Sequence, residues 1–253
     1  MEATAEAMPE KVELTGRELA LLREKFTAER DLAEAIRRAE GGEPLAYIIG
    51  EWYFYGLTFK LNSDCLIPRP DTEHIVEATV KALPQNGCFT DLCSGSGCIA
   101  ISVLVNRPDV RADAVELAEN AHRISVENAV ANGVADRFNA ANDDIFTYTA
   151  EKKYHCIVSN PPYIRTNVIS SLDASVKEYE PTLALDGGED GMRFYRHILS
   201  AYRVNLERNG CFILEIGYDQ REDIIRLSEE LGYTQCAVTK DYGGNDRVAI
   251  IRP

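Results

Sequence analysis

The apolar positions change period along the chain, and each change marks an expected element. Leu19, Leu22, Phe26, Ala33 and Ile36 recur at near-helical spacing behind Thr15 and Glu18, a capping-box pair, and Gly41-Gly42 ends the run. This predicts one long helix or a helical pair, with an apolar stripe that packs on the core or on a partner. Ahead of it, residues 1–13 are small and polar and are expected to be mobile. The stretch from Glu43 through Trp52-Tyr53-Phe54-Tyr55 to Phe59, with Gly56 at its centre, predicts a β-hairpin joining the helical piece to the main domain. Leu66-Ile67-Pro68-Arg69-Pro70-Asp71-Thr72-Glu73 is stiffened by two prolines, and Asp71 or Thr72 is placed to cap a helix ending near Leu83. It reads either as a linker or as the lining of a site.

From Cys88 onward, short apolar runs alternate with helical ones, the pattern of a parallel sheet with crossover helices. Strands are expected at 88–92, 112–117, 137–142, 154–159 and 210–216, and a final pair at 233–240 and 246–252 turns through Asp241-Tyr242-Gly243-Gly244-Asn245. Helices are expected near 97–106, 118–132, 191–207 and 219–231. The fold class is therefore α/β with a mostly parallel, seven-stranded sheet. The chain divides into a helical segment over 1–42, a hairpin over 43–64 and a main domain over 65–253. The longest irregular piece, 163–190, has the length of a lid or binding loop.

Composition narrows the function classes. The 253 residues are 45% hydrophobic and 27% charged, ordinary for a globular protein. No apolar run reaches the roughly 18 residues of a membrane span, and the acidic first residues are unlike a signal peptide, so a cytoplasmic protein without membrane contact is expected. A net charge of −14 argues against wrapping nucleic acid, which needs clustered Lys and Arg. Seven scattered cysteines lack a Cys-x-x-Cys pair, and the four histidines show no ligand spacing; free thiols and no metal site are expected.

Two stretches carry candidate chemistry. Asp91-Leu92-Cys93-Ser94-Gly95-Ser96-Gly97-Cys98 is a strand end, a Gly-rich turn and a helix start, where a ligand can approach the backbone. Glu116, at the end of the next strand, is placed for two ribose hydroxyls, the plainer reading being a solvated strand end. A nicotinamide dehydrogenase and a methyltransferase using S-adenosylmethionine both fit this pattern. Asp91 favours the second, because a carboxylate repels pyrophosphate and welcomes an ammonium. Asp144-Ile145-Phe146 offers an acid and an apolar flank for an adenine, although Asp144 could simply cap a turn. The second stretch is Asn160-Pro161-Pro162-Tyr163, after the apolar run 156–159. Its prolines stiffen the loop and donate no hydrogen bonds. The Asn160 side chain, the backbone carbonyls and the Tyr163 ring suit a planar NH2 group. The plainer reading is a strand ending in a Pro-rich turn.

With these residues assembled, the chain resembles class I S-adenosylmethionine-dependent methyltransferases, and within them the HemK/PrmC family, which methylates a glutamine side-chain amide in peptide chain release factors. Asn-Pro-Pro-Tyr is shared with methyltransferases of exocyclic DNA amines and marks only the acceptor class. The family-specific pieces are Glu43-Pro44-Leu45-Ala46-Tyr47, Ile67 through Glu73, Glu180-Pro181, Ala184 through Gly188, Asp190-Gly191, Leu214-Glu215-Ile216-Gly217, and Lys240-Asp241 through Gly244 to Asp246-Arg247-Val248. The resemblance implies a Rossmann-like fold. It also implies that Asp91, Cys93, Ser94, Gly95, Ser96, Gly97, Glu116, Asp144 and Ile145 hold S-adenosylmethionine, released as S-adenosylhomocysteine, with Asn160 at its border. The acceptor amide would then donate to the Asn160 side chain and the Pro161 carbonyl, with Pro162 and Tyr163 walling the pocket. The implied partner is a class I release factor, modified at the glutamine of its Gly-Gly-Gln motif. A ribosomal-protein glutamine methyltransferase is an alternative, and a DNA methyltransferase would need a basic recognition region the acidic balance does not offer. A non-catalytic S-adenosylmethionine-binding module is a further alternative, against which the intact Asn160–Tyr163 loop speaks. Two departures stand out. Cys93 replaces the first loop glycine, so its backbone is expected to do without positive φ, and the N-terminal helical segment is short for the family.

Overall fold

A computed structural model describes residues 12–253; what was expected of residues 1–11 lies outside the described residues. At Val12 the chain is already tied down, because its N–H donates to the Glu40 carbonyl at 2.9 Å. The N-terminal helices are a pair, α1 (Gly16–Lys25) and α2 (Glu29–Glu40), separated where Phe26 and Ala28 turn extended. The capping box forms: Thr15 N–H donates to Glu18 Oε2 at 2.7 Å and Thr15 Oγ1 accepts from the Glu18 N–H at 3.3 Å. The apolar stripe packs inward, with Leu22, Ala35 and Ala39 meeting Ile48.

The hairpin forms over the aromatic stretch, so it begins later than residue 43. Residues Leu45–Ile49 form a short helix, α3, set between Pro44 at its N-cap and Gly50, whose φ of 76° ends it. Ala46, Tyr47 and Ile48 are consecutive buried residues, which a strand facing the core on one side does not provide. Strands β1 (Glu51–Phe54) and β2 (Leu57–Lys60) then pair around Tyr55 and Gly56, both at positive φ, as a two-residue hairpin turn requires. A 3-10 turn at Pro70–Thr72 leads into α4 (Glu73–Ala82).

The expected alternation follows: β3 (Cys88–Leu92), α5 (Cys98–Asn106), β4 (Arg111–Glu116), α6 (Glu119–Ala131), β5 (Phe138–Asn142) and β6 (Tyr154–Ser159). After the short α7 (Ala174–Lys177) come α8 (Arg193–Ala201), β7 (Leu206–Glu215), α9 (Arg221–Glu230), β8 (Gln235–Lys240) and β9 (Asp246–Arg252). The seven-stranded sheet has the order β5-β4-β3-β6-β7-β9-β8, parallel except for β9. The helix expected to reach 207 stops at Ala201. Buried Tyr202 turns the chain to donate its hydroxyl to the Ile145 carbonyl at 2.8 Å, and β7 starts four residues earlier than expected. Its early part joins β6 across a register shift between Tyr154 and Cys156.

Alternate residues of the central strands feed two cores. Phe89, Val158 and Ile213 pack with α4, α5 and α6; Ile157, Phe212 and Leu214 pack with α8 and α9. Helices thus cover both faces, as a parallel sheet requires. Strand order reverses between β3 and β6, so the loops after these strands diverge and leave a crevice at their carboxyl ends. Among the described residues no helix is long and apolar enough to cross a membrane.

Candidate active site

A cavity of about 360 Å³ occupies that crevice, within the range of small-molecule sites. Its floor is the Gly-rich loop. Beyond β3 the Ser94 N–H donates to the Val115 carbonyl at 3.1 Å, and Gly97, at φ 79°, opens α5. A Cβ on Gly97 would come within 2.9 Å of Ile101 Cδ1 and 3.1 Å of Ser125 Cβ, so only glycine seats the loop against α6. At Gly95, by contrast, a Cβ would meet nothing within 4 Å. That open space is on a backbone at φ 54°.

Cys93 departs from expectation. Its φ is 59°, so it adopts the left-handed backbone of the glycine it replaces. That conformation costs an L-residue about 1–2 kcal/mol. Cys93→Gly is therefore expected to hold stability within about 1 kcal/mol, because relief of strain offsets added unfolded-state entropy. Cys93→Val, β-branched at positive φ, is expected to cost about 2 kcal/mol. Urea unfolding of the two variants checks this, and equal losses would refute the strain. The Cys93 thiol lines the cavity and burial pushes it well above its ordinary pKa, so it is a neutral wall group.

Glu116 closes β4 and bridges two loops. Oε2 accepts the Gly95 N–H at 2.7 Å, and Oε1 accepts the Ala118 N–H at 2.8 Å. Burial raises its pKa while these N–H groups oppose the rise. Each oxygen retains lone pairs for a further donor. Ser94 and Ser96 line the same wall, and their buried hydroxyls lack partners among the described residues. A nucleoside with a diol for Glu116 and polar groups for these hydroxyls fits the cavity.

Asp91 and Gly97 sit behind the wall and do not line it. Asp91 is fully buried, with Oδ2 accepting the Ala100 N–H at 3.2 Å and Oδ1 without a partner among the described residues. Burial lifts its pKa to about 8. Because the folded value lies above the unfolded one, the folded state holds this proton more tightly. Asp91 thus supports folding fully below pH 3.8 and loses that contribution as pH rises toward about 8. Asp91→Asn is expected to flatten this part of the stability profile, measured by urea unfolding at several pH values; an unchanged slope would exclude Asp91 as its source.

The third loop, after β5, brings Asp144, Ile145 and Phe146 to the cavity. Asp144 does cap its turn, Oδ1 accepting the Phe146 N–H at 2.9 Å, and it also lines the cavity. The Ile145 carbonyl interacts with His197 and Tyr202, each at 2.8 Å, which holds this loop on α8. The Arg193 guanidinium lies 4.6 Å from the Phe146 ring centroid.

On the opposite wall stand Asn160 and Pro162, whereas Pro161 and Tyr163 flank them without lining the cavity. Asn160 Nδ2 donates to Thr72 Oγ1 at 3.2 Å, and Oδ1 takes no hydrogen bond among the described residues. Thr72 occupies the N-cap position of α4 without a capping side-chain bond; its hydroxyl serves Asn160 instead, and Asp71 pairs with Arg247 at 3.3 Å. The Tyr163 hydroxyl donates to Glu215 at 3.2 Å, so its ring backs the loop instead of facing the cavity. Over the rim lies Pro181-Thr182-Leu183-Ala184, stapled down by the buried Glu180, which pairs with Arg69 and accepts the Ile67 N–H at 3.3 Å.

Thr72, Glu180, Glu215 and Asn128 were not singled out from the sequence as site residues. Asn128 is fully buried; its Nδ2 donates to the Ser96 carbonyl at 2.9 Å, and its Oδ1 accepts the Lys60 N–H at 2.8 Å. It ties the Gly-rich loop to the hairpin. A lone Asn in the apolar stripe of an expected helix was the available signal. Among the described residues no group of three His, Cys, Asp or Glu side chains could hold a metal.

Known proteins are similar to this chain in sequence and fold. A family model described as a methyltransferase small domain matches residues 72–177. The chain is 39% identical over 221 residues to the release factor glutamine methyltransferase of Thermodesulfovibrio yellowstonii, covering 86% of this chain and 79% of that one. Its counterpart in Agrobacterium fabrum is 36% identical over 227 residues, covering 87% and 78%. In fold, the chain is similar to the catalytic domain of hMettl16 solved with an RNA hairpin, with a TM-score of 0.63 at 15% identity, covering 84% and 81%. It also matches the ribosomal protein L11 methylase of Lactobacillus delbrueckii subsp. bulgaricus, with a TM-score of 0.54 at 16% identity, covering 76% and 83%. The sheet order is thus that of a Rossmann-like methyltransferase, and the similarity in sequence is of a narrower kind: the chain belongs to the release factor glutamine methyltransferase family.

Proposed function

We propose that the protein methylates the side-chain amide nitrogen of the glutamine in the Gly-Gly-Gln motif of a class I peptide chain release factor, modulating translation termination. One observation carries this reading: Asn160 is pinned through its N–H to Thr72, which leaves Oδ1 as a free acceptor on the wall of a nucleoside-sized cavity. Methyltransferases of this kind generally use S-adenosylmethionine. When bound, that cofactor supplies a methyl on a sulfonium, a leaving group good enough that no base is needed before attack. Glu116 would hold its ribose, the 93–97 loop its amino-acid end, and Asp144 with Ile145 its adenine.

The chain's own residues then act on the acceptor. An amide nitrogen is a poor nucleophile because its lone pair is delocalised into the carbonyl. Asn160 Oδ1 and the Pro161 carbonyl accept its two N–H bonds, enrich the nitrogen and fix its direction. With the cofactor bound, the new N–C bond would form as its S–C bond breaks, and the surplus N–H proton would leave to solvent. Orientation of this kind contributes several kcal/mol, within a ceiling of about 7–11 kcal/mol for ideal positioning. We assign the catalytic role to the domain over 65–253 and release-factor contact to the helical segment over 1–42 with the hairpin over 43–64.

The test is mass spectrometry of a release factor incubated with the protein and S-adenosylmethionine. One added methyl on the glutamine of the Gly-Gly-Gln peptide is expected. An unmodified peptide, with cofactor binding shown by calorimetry, would overturn the acceptor assignment and point to ribosomal proteins or nucleic acid.

A further inference from the structure

Both ends of the Asn160–Tyr163 loop converge on one buried carboxylate. Glu215 closes β7, and the preceding Leu214 is registered against Ser159, the last residue before the loop. The residue is 1% exposed. Tyr163 donates its hydroxyl to Oε1 at 3.2 Å. Thr72, the acceptor for Asn160 Nδ2, neighbours this carboxylate and is among the groups that favour its charge. Oε2 has no partner at ordinary hydrogen-bond geometry among the described residues, so its lone pairs are open to that hydroxyl.

A primary amide has two ends of similar shape and opposite hydrogen-bonding sense. Thr72 has a single hydrogen to give. Given to an ionised Glu215, it leaves the hydroxyl as an acceptor, and Asn160 must offer it an N–H. Oδ1 then remains for the cavity. If Glu215 holds a proton, the relay reverses: Glu215 donates to Thr72, Thr72 donates to Asn160 Oδ1, and NH2 takes the place of the oxygen. An NH2 group at the wall cannot accept from the acceptor amide.

We propose that Glu215 is a positioning residue whose charge, relayed by Thr72, sets which end of the Asn160 amide faces the acceptor. The proposal rests on the acceptor role given to Asn160 above. The charged and titratable groups packed around Glu215 come from five elements: Tyr163 on the loop, Asp71 before α4, Cys98 on α5, Arg247 on β9, and Tyr195 on α8, which donates to the Glu215 backbone carbonyl at 2.8 Å. Arg247 is shared with Asp241 and Asp71, at 3.1 and 3.3 Å. Burial raises the Glu215 pKa to about 7 against the pull of Thr72, Arg247 and Tyr163, so the charged, acceptor-presenting form gains population as pH rises through neutrality.

The Asn160 side-chain NH2 signals in a 1H–15N spectrum of the free protein read the relay without any substrate. They are expected to titrate near pH 7 in the wild type. In Glu215→Gln they should sit at the low-pH position throughout, because the glutamine NH2 donates to Thr72 permanently. Thr72→Val should likewise abolish the titration, and Thr72→Ser should restore it, which keeps the test open if Glu215→Gln folds poorly. With a methyl-accepting release factor, Glu215→Gln should lower kcat by roughly 10- to 100-fold and remove the neutral-pH rise in kcat, with cofactor Kd within about twofold. Asn160 signals indifferent to pH in the wild type, or a Glu215→Gln variant with unchanged signals and kcat, would overturn the proposal. Release factor left unmethylated by the wild type would overturn the acceptor reading alone, since the spectra stand apart from turnover.

Discussion

Asn160→Ala is expected to lower methyl transfer by about 10²–10³-fold or more while leaving cofactor affinity within a few-fold of the wild type. The magnitude follows from losing one preorganised polar group aimed at the reacting centre. The separation of effects follows from position. Asn160 stands on the wall opposite the Glu116–Gly95 contact, and its only described side-chain bond is to Thr72. Removing it leaves the Gly-rich loop, Glu116 and the Asp144 turn untouched. Calorimetry with S-adenosylmethionine and single-turnover rates on a release factor check the two halves. If affinity and rate fall together, Asn160 is a cofactor ligand first and the acceptor assignment is wrong.

Gly191→Ala is expected to destabilise the protein by about 3 kcal/mol or more and to disable the same loop from behind. Gly191 has φ 74°, and a Cβ there would lie 2.4 Å from the Tyr163 carbonyl oxygen and 2.7 Å from Gln220 Nε2. Gln220 Nε2 donates to both the Tyr163 and Gly191 carbonyls, at 3.1 and 3.2 Å, so the intruding methyl also breaks this clamp. The obstacle is backbone on one side and a buried side chain on the other, and neither moves freely. Gly187 presses on the same segment, its Cβ position 2.6 Å from Tyr163 Cα. Gly16, with nothing within 4 Å, is the control: Gly16→Ala should stabilise α1 by up to about 1 kcal/mol. Urea unfolding distinguishes them, and a cost below about 1 kcal/mol at Gly191 would show that the loop yields.

These glycines explain part of what the sequence left unread. Asp186-Gly187-Gly188 and Asp190-Gly191 were visible only as pieces of a family resemblance. Their reason is the backbone of Tyr163, some 25 residues earlier, joined through the parallel bridge between Ile164 and Asp186. A local reading of 163–190 shows a long loop, and it shows no hint that the loop closes on its own beginning. The surroundings of Tyr163 are set over a similar distance. An aromatic beside two prolines suits a stacking wall, and only the position of Glu215 turns its ring to the rear.

Periodicity and turn chemistry act over a few residues, so they are legible in the chain itself. The alternation from Cys88 onward, the Gly-rich turn, the Asn-Pro-Pro-Tyr stop and the acid at the end of β4 are of this kind, and together they determined an α/β sheet with a Gly-rich turn and a Pro-rich loop at its carboxyl edge; the methyltransferase reading came from the family resemblance. Where the chain is pulled away from local preference, tertiary contact decided. Thr72 abandons its cap for Asn160, Cys93 accepts the backbone of a glycine, residues 45–49 turn helical to bury three successive side chains, and α8 stops short so that Tyr202 can reach Ile145. At Thr72 and Tyr202 one hydrogen bond between segments distant in sequence, and at residues 45–49 the burial of apolar side chains, outweighs a local preference of about 1 kcal/mol.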